Sequence, residues 1–327
     1  VTTYSRVDKI PISTLIDREG NEILTLETAD VSNLPTDWRW PEPVKTKAAD
    51  GKTDIYGVIY RPPGFSPNKS YPVLDFSNGH SGSTFVPQGS FINGPCFDSP
   101  YLSGAAYAAL GFVVVALEGR GTSFRDKTFQ DYSYGNMADA SALEDRIEGM
   151  QQLAKRYPCM DLDRVGIVSS DGMTDPVRGL LEHPEFYKVG VAICLGDARF
   201  SFAAMTEQFE GLGPVKNSHD KQQEAQKIYR CAEDWAYALK GKLLLIHGML
   251  DNCVSTTGMF RLVDALQQAD KEFDMILLPT IGFDIPTYGV RRSWDYLVTH
   301  LLDLEPPKEF PLQTGIDLLV ANMAEGY

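Results

Sequence analysis

Hydrophobic and polar positions form two successive patterns along the chain. Within residues 1–36 two strand-like segments, KIPISTLI and EILTLETA, flank the polar turn DREGN. The Gly20–Asn21 pair suits a hairpin turn, because glycine accepts the positive φ values that such turns need. A lone hairpin is only marginally stable in water, so we expect residues 1–36 to pack against another folded unit.

From about residue 50, short apolar runs alternate with segments of helical periodicity. YPVLDF, GFVVVALEG and KLLLIHG are typical of strands buried on both faces, and SALEDRIEGMQQLAKRY and RRSWDYLVTHLLDL are typical of amphipathic helices. This alternation predicts an α/β domain over residues 37–306, with a mostly parallel central sheet of about eight strands flanked by helices. Residues 307–327 form a C-terminal tail. We also expect residues 198–240 to be helical and to overhang the carboxyl edge of the sheet, where ligand sites form.

Composition excludes several classes of function. The formal net charge of -14 argues against a nucleic-acid partner and against attraction to an anionic membrane surface. The five cysteines are scattered without metal-binding spacing, so we predict no metal and no cofactor. No run of 18 uninterrupted apolar residues is present, and we therefore predict no transmembrane helix.

Several segments between residues 38 and 306 have distinctive sequences. They are EGRGT, DYSYGN, LEDRIEG, MDLDRVGI, LKGKLLLIHGMLDN and RRSWDYLVTHLL. These segments resemble the peptidase domain of dipeptidyl-peptidase-IV-like members of the prolyl oligopeptidase (S9) family. The resemblance implies an α/β-hydrolase fold, with a serine nucleophile, an acid and a histidine in that chain order. It also implies that residues 1–36 correspond to the closing strands of the family's N-terminal β-propeller.

The family's nucleophile lies in a G-x-S-x-G-G turn, and the corresponding segment here is VSSDGM. Counting back from Arg178 places Ser170 at the nucleophile position. Val168 and Met173 then stand where the family has glycines, so we expect a reshaped turn. The alternative is that Ser169 and Ser170 are ordinary turn serines that cap the following helix.

The family's acid falls on Asp251, in the segment HGMLDN, and its histidine falls on Phe283, in LLPTIGFDIP. Asp284 takes the place of the glycine that follows the histidine. Phenylalanine cannot accept the serine proton, and loss of a triad member costs several orders of magnitude in rate. Without the imidazole, Asp251 has two other candidate roles, which are to cap the TTGMFRLVDAL helix or to hold a water molecule. His247 is expected to be a buried scaffold histidine.

Three further polar residues are candidates for binding. Asn78 occupies the position of the family's oxyanion tyrosine, and its amide can still donate a hydrogen bond. His80, in the same SNGHSGS segment, is the histidine we expect nearest the mouth of the pocket. Asp171 directly follows Ser170.

The sequence leaves three hypotheses open. The first is a domain without competent serine hydrolysis, which acts by binding a small molecule or peptide in the pocket, or by assembly. The second is an enzyme of cyclase, lyase or isomerase type, with Asp171, Asp251 or Asp284 as acid or base and with Phe283 and Met173 lining an apolar cavity. The third is a serine peptidase or esterase that uses an unconventional base such as His80. Residues 1–36 are expected to contact a propeller domain, a second chain or a second copy of this chain.

Overall fold

The structure is a computed structural model that describes residues 1–77, 85–91, 100–133, 142–169, 175–195, 232–252, 254–309 and 312. Its first 28 residues form a three-stranded antiparallel sheet of β1 (Thr2–Arg6), β2 (Lys9–Ile16) and β3 (Glu22–Thr28), in the order β1-β2-β3. β2 and β3 are the predicted hairpin. Its turn is held by Asp17, whose carboxylate accepts from the backbone N–H of Asn21 at 2.7 Å, and Gly20 has a φ of 88°.

The central sheet of the described residues has eight strands in the order β11-β10-β9-β8-β6-β7-β5-β4. These strands are β4 (Glu42–Lys47), β5 (Asp54–Tyr60), β6 (Tyr71–Phe76), β7 (Val113–Leu117), β8 (Met160–Ser169), β9 (Tyr187–Ile193), β10 (Lys242–Gly248) and β11 (Asp274–Leu278). The pairings from β7 through β6, β8, β9 and β10 to β11 are parallel, and only β4 and β5 run antiparallel to their neighbours. The predicted mostly parallel sheet of about eight strands is confirmed.

Helices cover both faces of this sheet. Within the described ranges the α-helices are α1 (Pro100–Ala109), α2 (Lys127–Gln130), α3 (Leu143–Arg156), α4 (Asp175–Glu182), α5 (Thr256–Gln268) and α6 (Thr287–Leu301). In β10, Leu243 and Leu245 join the apolar cluster under α3, α4 and α5. Leu244 and Ile246 join the cluster under α1 and α6. Because side chains alternate along a strand, an uninterrupted apolar run supplies both cores at once.

The N-terminal sheet is attached to the larger domain by its first turn. Val7, between β1 and β2, is buried in the cluster under α1, and its carbonyl accepts from the Tyr101 hydroxyl at 3.1 Å. Ser90 donates from its Oγ to the carbonyl of Lys9 at 2.6 Å. β3, by contrast, is exposed along its whole length. The hairpin therefore packs on the domain at one end and leaves its far strand open.

We expected residues 198–240 to be helical. Most of this region, residues 198–231, lies outside the described part of the chain. Its end is described as a short 3-10 helix, Ala232–Ala238. In the described ranges, no helix has the length and apolar character needed to cross a bilayer.

Candidate active site

The ends of β6 and β8 bring two of the candidate loops side by side. Phe76 is in register with Val168, and the backbone N–H of Ser77 donates to the Val168 carbonyl at 3.1 Å. The chain therefore enters the two loops that begin at residues 78 and 170 at the same edge of the sheet. The candidate residues of these loops lie outside the described residues: Asn78, His80, Ser170, Asp171 and Met173. The resemblance also leads us to expect that Ser170 and Asn78 approach Phe283 at this edge, and this stays a prediction.

β8 also explains how the first altered glycine position is accommodated. Val168 is a buried strand residue that pairs with Val191, and Ser169, also buried, pairs with Ala192. A β-branched residue suits an extended, buried position. Val168 therefore belongs to the sheet rather than to the turn. Ser169 is a buried strand residue as well. The alternative that Ser169 and Ser170 cap the next helix stays a prediction, because residues 170–174 lie outside the described part of the chain.

Directly behind these strand ends lies a buried charge network that the sequence did not predict. Arg146 of α3 is fully buried. Its guanidinium donates to Asp75 Oδ2 at 3.0 and 3.1 Å, to Asp175 Oδ2 at 2.5 Å and to Ser77 Oγ at 2.5 Å. The Tyr187 hydroxyl donates to the same Asp75 oxygen at 2.7 Å. The network thus joins the end of β6, through Ser77, to the start of α4, through Asp175, and both flank candidate loops.

The charges of this network do not balance, since one guanidinium faces two carboxylates. Burial raises the pKa of Asp75, and the nearby Arg146 only partly offsets this effect. Burial also acts to lower the pKa of Arg146, but the carboxylates of Asp75 and Asp175 raise it above its ordinary value. Arg146 therefore stays charged, and burial favours the protonated form of Asp75 more than an exposed site would.

Asp251, which the resemblance assigns as the acid, follows β10, and its side chain is fully buried. Its Oδ1 accepts from the backbone N–H of Val254 at 2.8 Å, and its Oδ2 lies 3.6 Å from Nε2 of His247. The N-cap of α5 is Ser255, whose Oγ accepts from the Thr257 N–H. The alternative that Asp251 caps this helix is therefore wrong, because its carboxylate orders the loop before the cap.

His247 is buried as predicted. Its Nε2 lies 3.2 Å from the Val254 carbonyl, and among the described residues its Nδ1 has no hydrogen-bond partner. Burial lowers the pKa of His247, and the Val254 carbonyl and the Asp251 carboxylate oppose this shift. The imidazole is therefore held neutral inside the scaffold.

The loop that carries Phe283 runs against the loop that carries Asp251. The backbone N–H of Leu250 donates to the Ile281 carbonyl at 2.9 Å. The approach is close enough that a Cβ on Gly248 would lie 2.0 Å from the Gly282 carbonyl oxygen. Phe283 is half-buried and packs on the cluster under α1 and α6, whereas Asp284 is exposed. The Asp251 loop and the Phe283 loop thus lie directly against each other at the carboxyl edge of the sheet.

Cys194, which follows β9, is a further residue of this edge that the sequence did not single out. It is buried, and its Sγ donates to the backbone carbonyl of Phe283 at 3.2 Å. This contact ties the Phe283 loop to the neighbouring strand. The sequence contains no motif around Cys194 that would predict this contact, because the contact is made with a loop that is distant in sequence.

A mostly parallel eight-stranded sheet, with helices on both faces and its candidate loops at the carboxyl edge, is an α/β-hydrolase fold. The family model of the prolyl oligopeptidase family matches residues 101–300, which is more than half of the chain. The chain belongs to the prolyl oligopeptidase family.

Individual proteins resemble the chain in sequence or in fold. Human dipeptidyl peptidase 8 is 29% identical over 274 residues, which cover 81% of this chain and 28% of that protein. The solved structure of Porphyromonas gingivalis dipeptidyl peptidase 4 superposes with a TM-score of 0.71 at 24% identity, over 91% of this chain and 41% of the other. A Bacteroides ovatus dipeptidyl aminopeptidase IV candidate gives a TM-score of 0.76 at 22% identity, over 92% and 41%. The chain therefore spans less than half the length of these relatives.

Proposed function

We propose that this S9 peptidase-like α/β-hydrolase domain does not perform conventional serine hydrolysis and acts by binding a small molecule or peptide at its carboxyl edge, or by assembly. The observation that carries the proposal is Phe283. The loop around it is held in place against the Asp251 loop, so the change affects the side chain at the family's histidine position and leaves the loop intact.

The described histidines support this proposal because each is engaged elsewhere. His247 is buried with its Nε2 against the Val254 carbonyl. His183 faces glutamates beyond the end of α4, and His300 packs its ring against Tyr296 on α6. A serine hydroxyl without an adjacent base is a weak nucleophile. Of the bases considered from the sequence, only His80 is therefore left as the unconventional base that the third hypothesis needs.

For the second hypothesis, a different reaction in the same pocket, we favour Asp171 and Asp284 over Asp251 as the acid or base. Asp251 is fully buried and committed to the Val254 N–H and to the neighbourhood of His247. A general acid or base must reach the reacting atom directly or through one water. Asp284, which is exposed, and Asp171 remain as candidates for this hypothesis.

The test is covalent labelling of the purified domain. We expect no fluorophosphonate adduct at Ser170 by intact mass, and no burst with p-nitrophenyl esters or Xaa-Pro amides. Ser170→Ala is the matched control for labelling, and Phe283→His alone should restore little, because Met173 still replaces a turn glycine. Stoichiometric labelling that Ser170→Ala abolishes would overturn the proposal. If His80→Ala abolished it too, the third hypothesis would hold.

The assembly part of the proposal rests on the N-terminal sheet. β3 is an edge strand, and Ile23, Leu24 and Leu26 are 61%, 56% and 48% exposed. An open apolar edge strand is a template for pairing with another strand. We propose that residues 1–36 contact a propeller domain, a second chain or a second copy of this chain. The much greater length of the relatives is consistent with such a neighbour.

A further inference from the structure

His183, which directly follows α4, lies among carboxylates contributed by two helices. Its Nε2 is 3.9 Å from Glu144 Oε1, in the first turn of α3, and its Nδ1 is 3.6 Å from Glu185 Oε1. The Nε2 atom is withdrawn from water and has no hydrogen-bond partner within the described part of the chain. A buried polar atom without a partner is unfavourable, and each such atom in a folded protein calls for an explanation.

We propose that His183, Glu144 and Glu182 bind a divalent cation, with Zn²⁺ as the ion that fits their chemistry best. One ligand atom from each of the three residues lies within 4.8 Å of the other two. With zinc–ligand bonds of about 2.1 Å, neighbouring ligands of a tetrahedral ion stand roughly 3.4 Å apart. The side chain of Glu144 is 45% exposed, so of the three ligands it has the most room to adjust towards this spacing.

Glu182 is already oriented for this role by a buried arginine one turn earlier on α4. Arg178 donates from Nε to Glu182 Oε1 at 2.8 Å and from Nη2 to Oε2 at 3.1 Å. Each carboxylate oxygen keeps a further lone pair when it accepts one such bond. A hydrogen-bonding partner outside the ligand set is what fixes metal-binding carboxylates in proteins.

The charge at this position also favours a cation. Three carboxylates, Glu144, Glu182 and Glu185, surround a single guanidinium and an imidazole. The cluster lies at the C-terminal end of α4, where the helix dipole adds further negative potential. Imidazole with carboxylates is a ligand set that suits zinc, whereas magnesium and calcium prefer oxygen ligands alone.

Binding at this site would tie the end of α4 to the first turn of α3. The start of α4 is already held there, because Asp175 binds Arg146. An ion at His183 would therefore fasten both ends of the helix that follows the segment bearing Ser170. Zinc should accordingly raise the thermal midpoint of the domain, since a ligand that binds the folded state alone stabilises it.

The test is titration of chelator-treated protein with Zn²⁺ by calorimetry, together with the visible spectrum of the Co²⁺ form. We expect one site per chain and the intense bands of four-coordinate cobalt. His183→Ala and Glu144→Gln should each weaken zinc binding at least about tenfold. Loss of a residue that only hydrogen-bonds to a metal ligand already weakens metal binding by about tenfold or more. His300→Ala, which removes an exposed histidine on α6, should bind zinc like the wild type.

The proposal fails if the wild type binds no zinc, or if His183→Ala and Glu144→Gln bind it as tightly as the wild type. Glu144 is half-exposed, so its substitution keeps the test decisive even where His183→Ala does not fold. Because neither residue belongs to the loops at the carboxyl edge, failure here leaves the proposed function untouched.

Discussion

Replacing Arg146 by methionine probes the buried network behind the candidate site. The change keeps the apolar stem of the side chain and removes the guanidinium that binds Asp75, Asp175 and Ser77. Removal of one partner of a buried ion pair costs about 3–5 kcal/mol, because the remaining charge stays buried without compensation. Since two carboxylates are stranded here, we expect a loss of at least about 3 kcal/mol, against a typical total stability of about 5–15 kcal/mol.

The loss should depend on pH in a defined direction. The pKa of Asp75 is already raised in the folded protein, so the folded state binds this proton more tightly than the unfolded state does. The stability conferred by the proton is therefore present at low pH and is lost as pH rises through the folded pKa. Without Arg146 the pKa should rise further. The deficit of Arg146→Met should consequently be smaller at pH 5 than at pH 8.

The assay is equilibrium unfolding in urea at these two pH values. Arg156→Met, at an exposed position of the same helix, is the matched control and should change the free energy of unfolding by about 0.5 kcal/mol or less. Adding Asp75→Asn and Asp175→Asn to Arg146→Met should recover much of the loss, because no charge then remains stranded. A deficit below about 1 kcal/mol, or no recovery in the triple variant, would refute the argument.

Two further predictions concern other regions of the chain. If a second copy of this chain covers β3, Leu24→Glu with Leu26→Glu should lower the mass measured by light scattering, because charge on β3 blocks edge pairing. Leu304→Glu, at another exposed leucine, should keep the wild-type mass, and equal masses for the wild type and both variants would exclude a second copy at β3. The pKa of His247 is lowered, so its contribution to stability is complete above about pH 6.5 and falls as pH drops towards the folded pKa. His247→Gln should therefore show a smaller fall in thermal midpoint between pH 7.5 and pH 5 than the wild type, and an identical fall would exclude this role.

The fold could be predicted because its strands and helices follow local patterns. GFVVVALEG forms β7, buried at every position, and SALEDRIEGMQQLAKRY forms α3. β1 was not predicted, since TTYSR is mostly exposed and has no apolar alternation; it is a strand because β2 pairs with it. Tertiary pairing, rather than local propensity, decides such segments.

The candidate site could be predicted only where a motif fixed a position. HGMLDN predicted a strand end followed by the loop that carries Asp251, and β10 ends there, but the motif could not show that Ser255 caps the next helix. The burial of Arg146 could not be predicted from the sequence, for a different reason. A charged residue in an amphipathic helix normally faces solvent, and only the arrival of Asp75 and Asp175 from two other elements makes its burial favourable.

The altered positions that the structure describes are packed, which bears on what the domain was shaped to do. Val168 is an ordinary buried strand residue, and Phe283 joins Ile281 and Ile285 against the apolar cluster under α1 and α6. A histidine at position 283 would have to place ring nitrogens on that apolar surface, where a polar group without a hydrogen bond is unfavourable. Phe283 thus gains apolar packing at this loop. Under the proposed function, this packing suits a domain that binds with this edge, and it stands in place of the proton acceptor that serine hydrolysis needs.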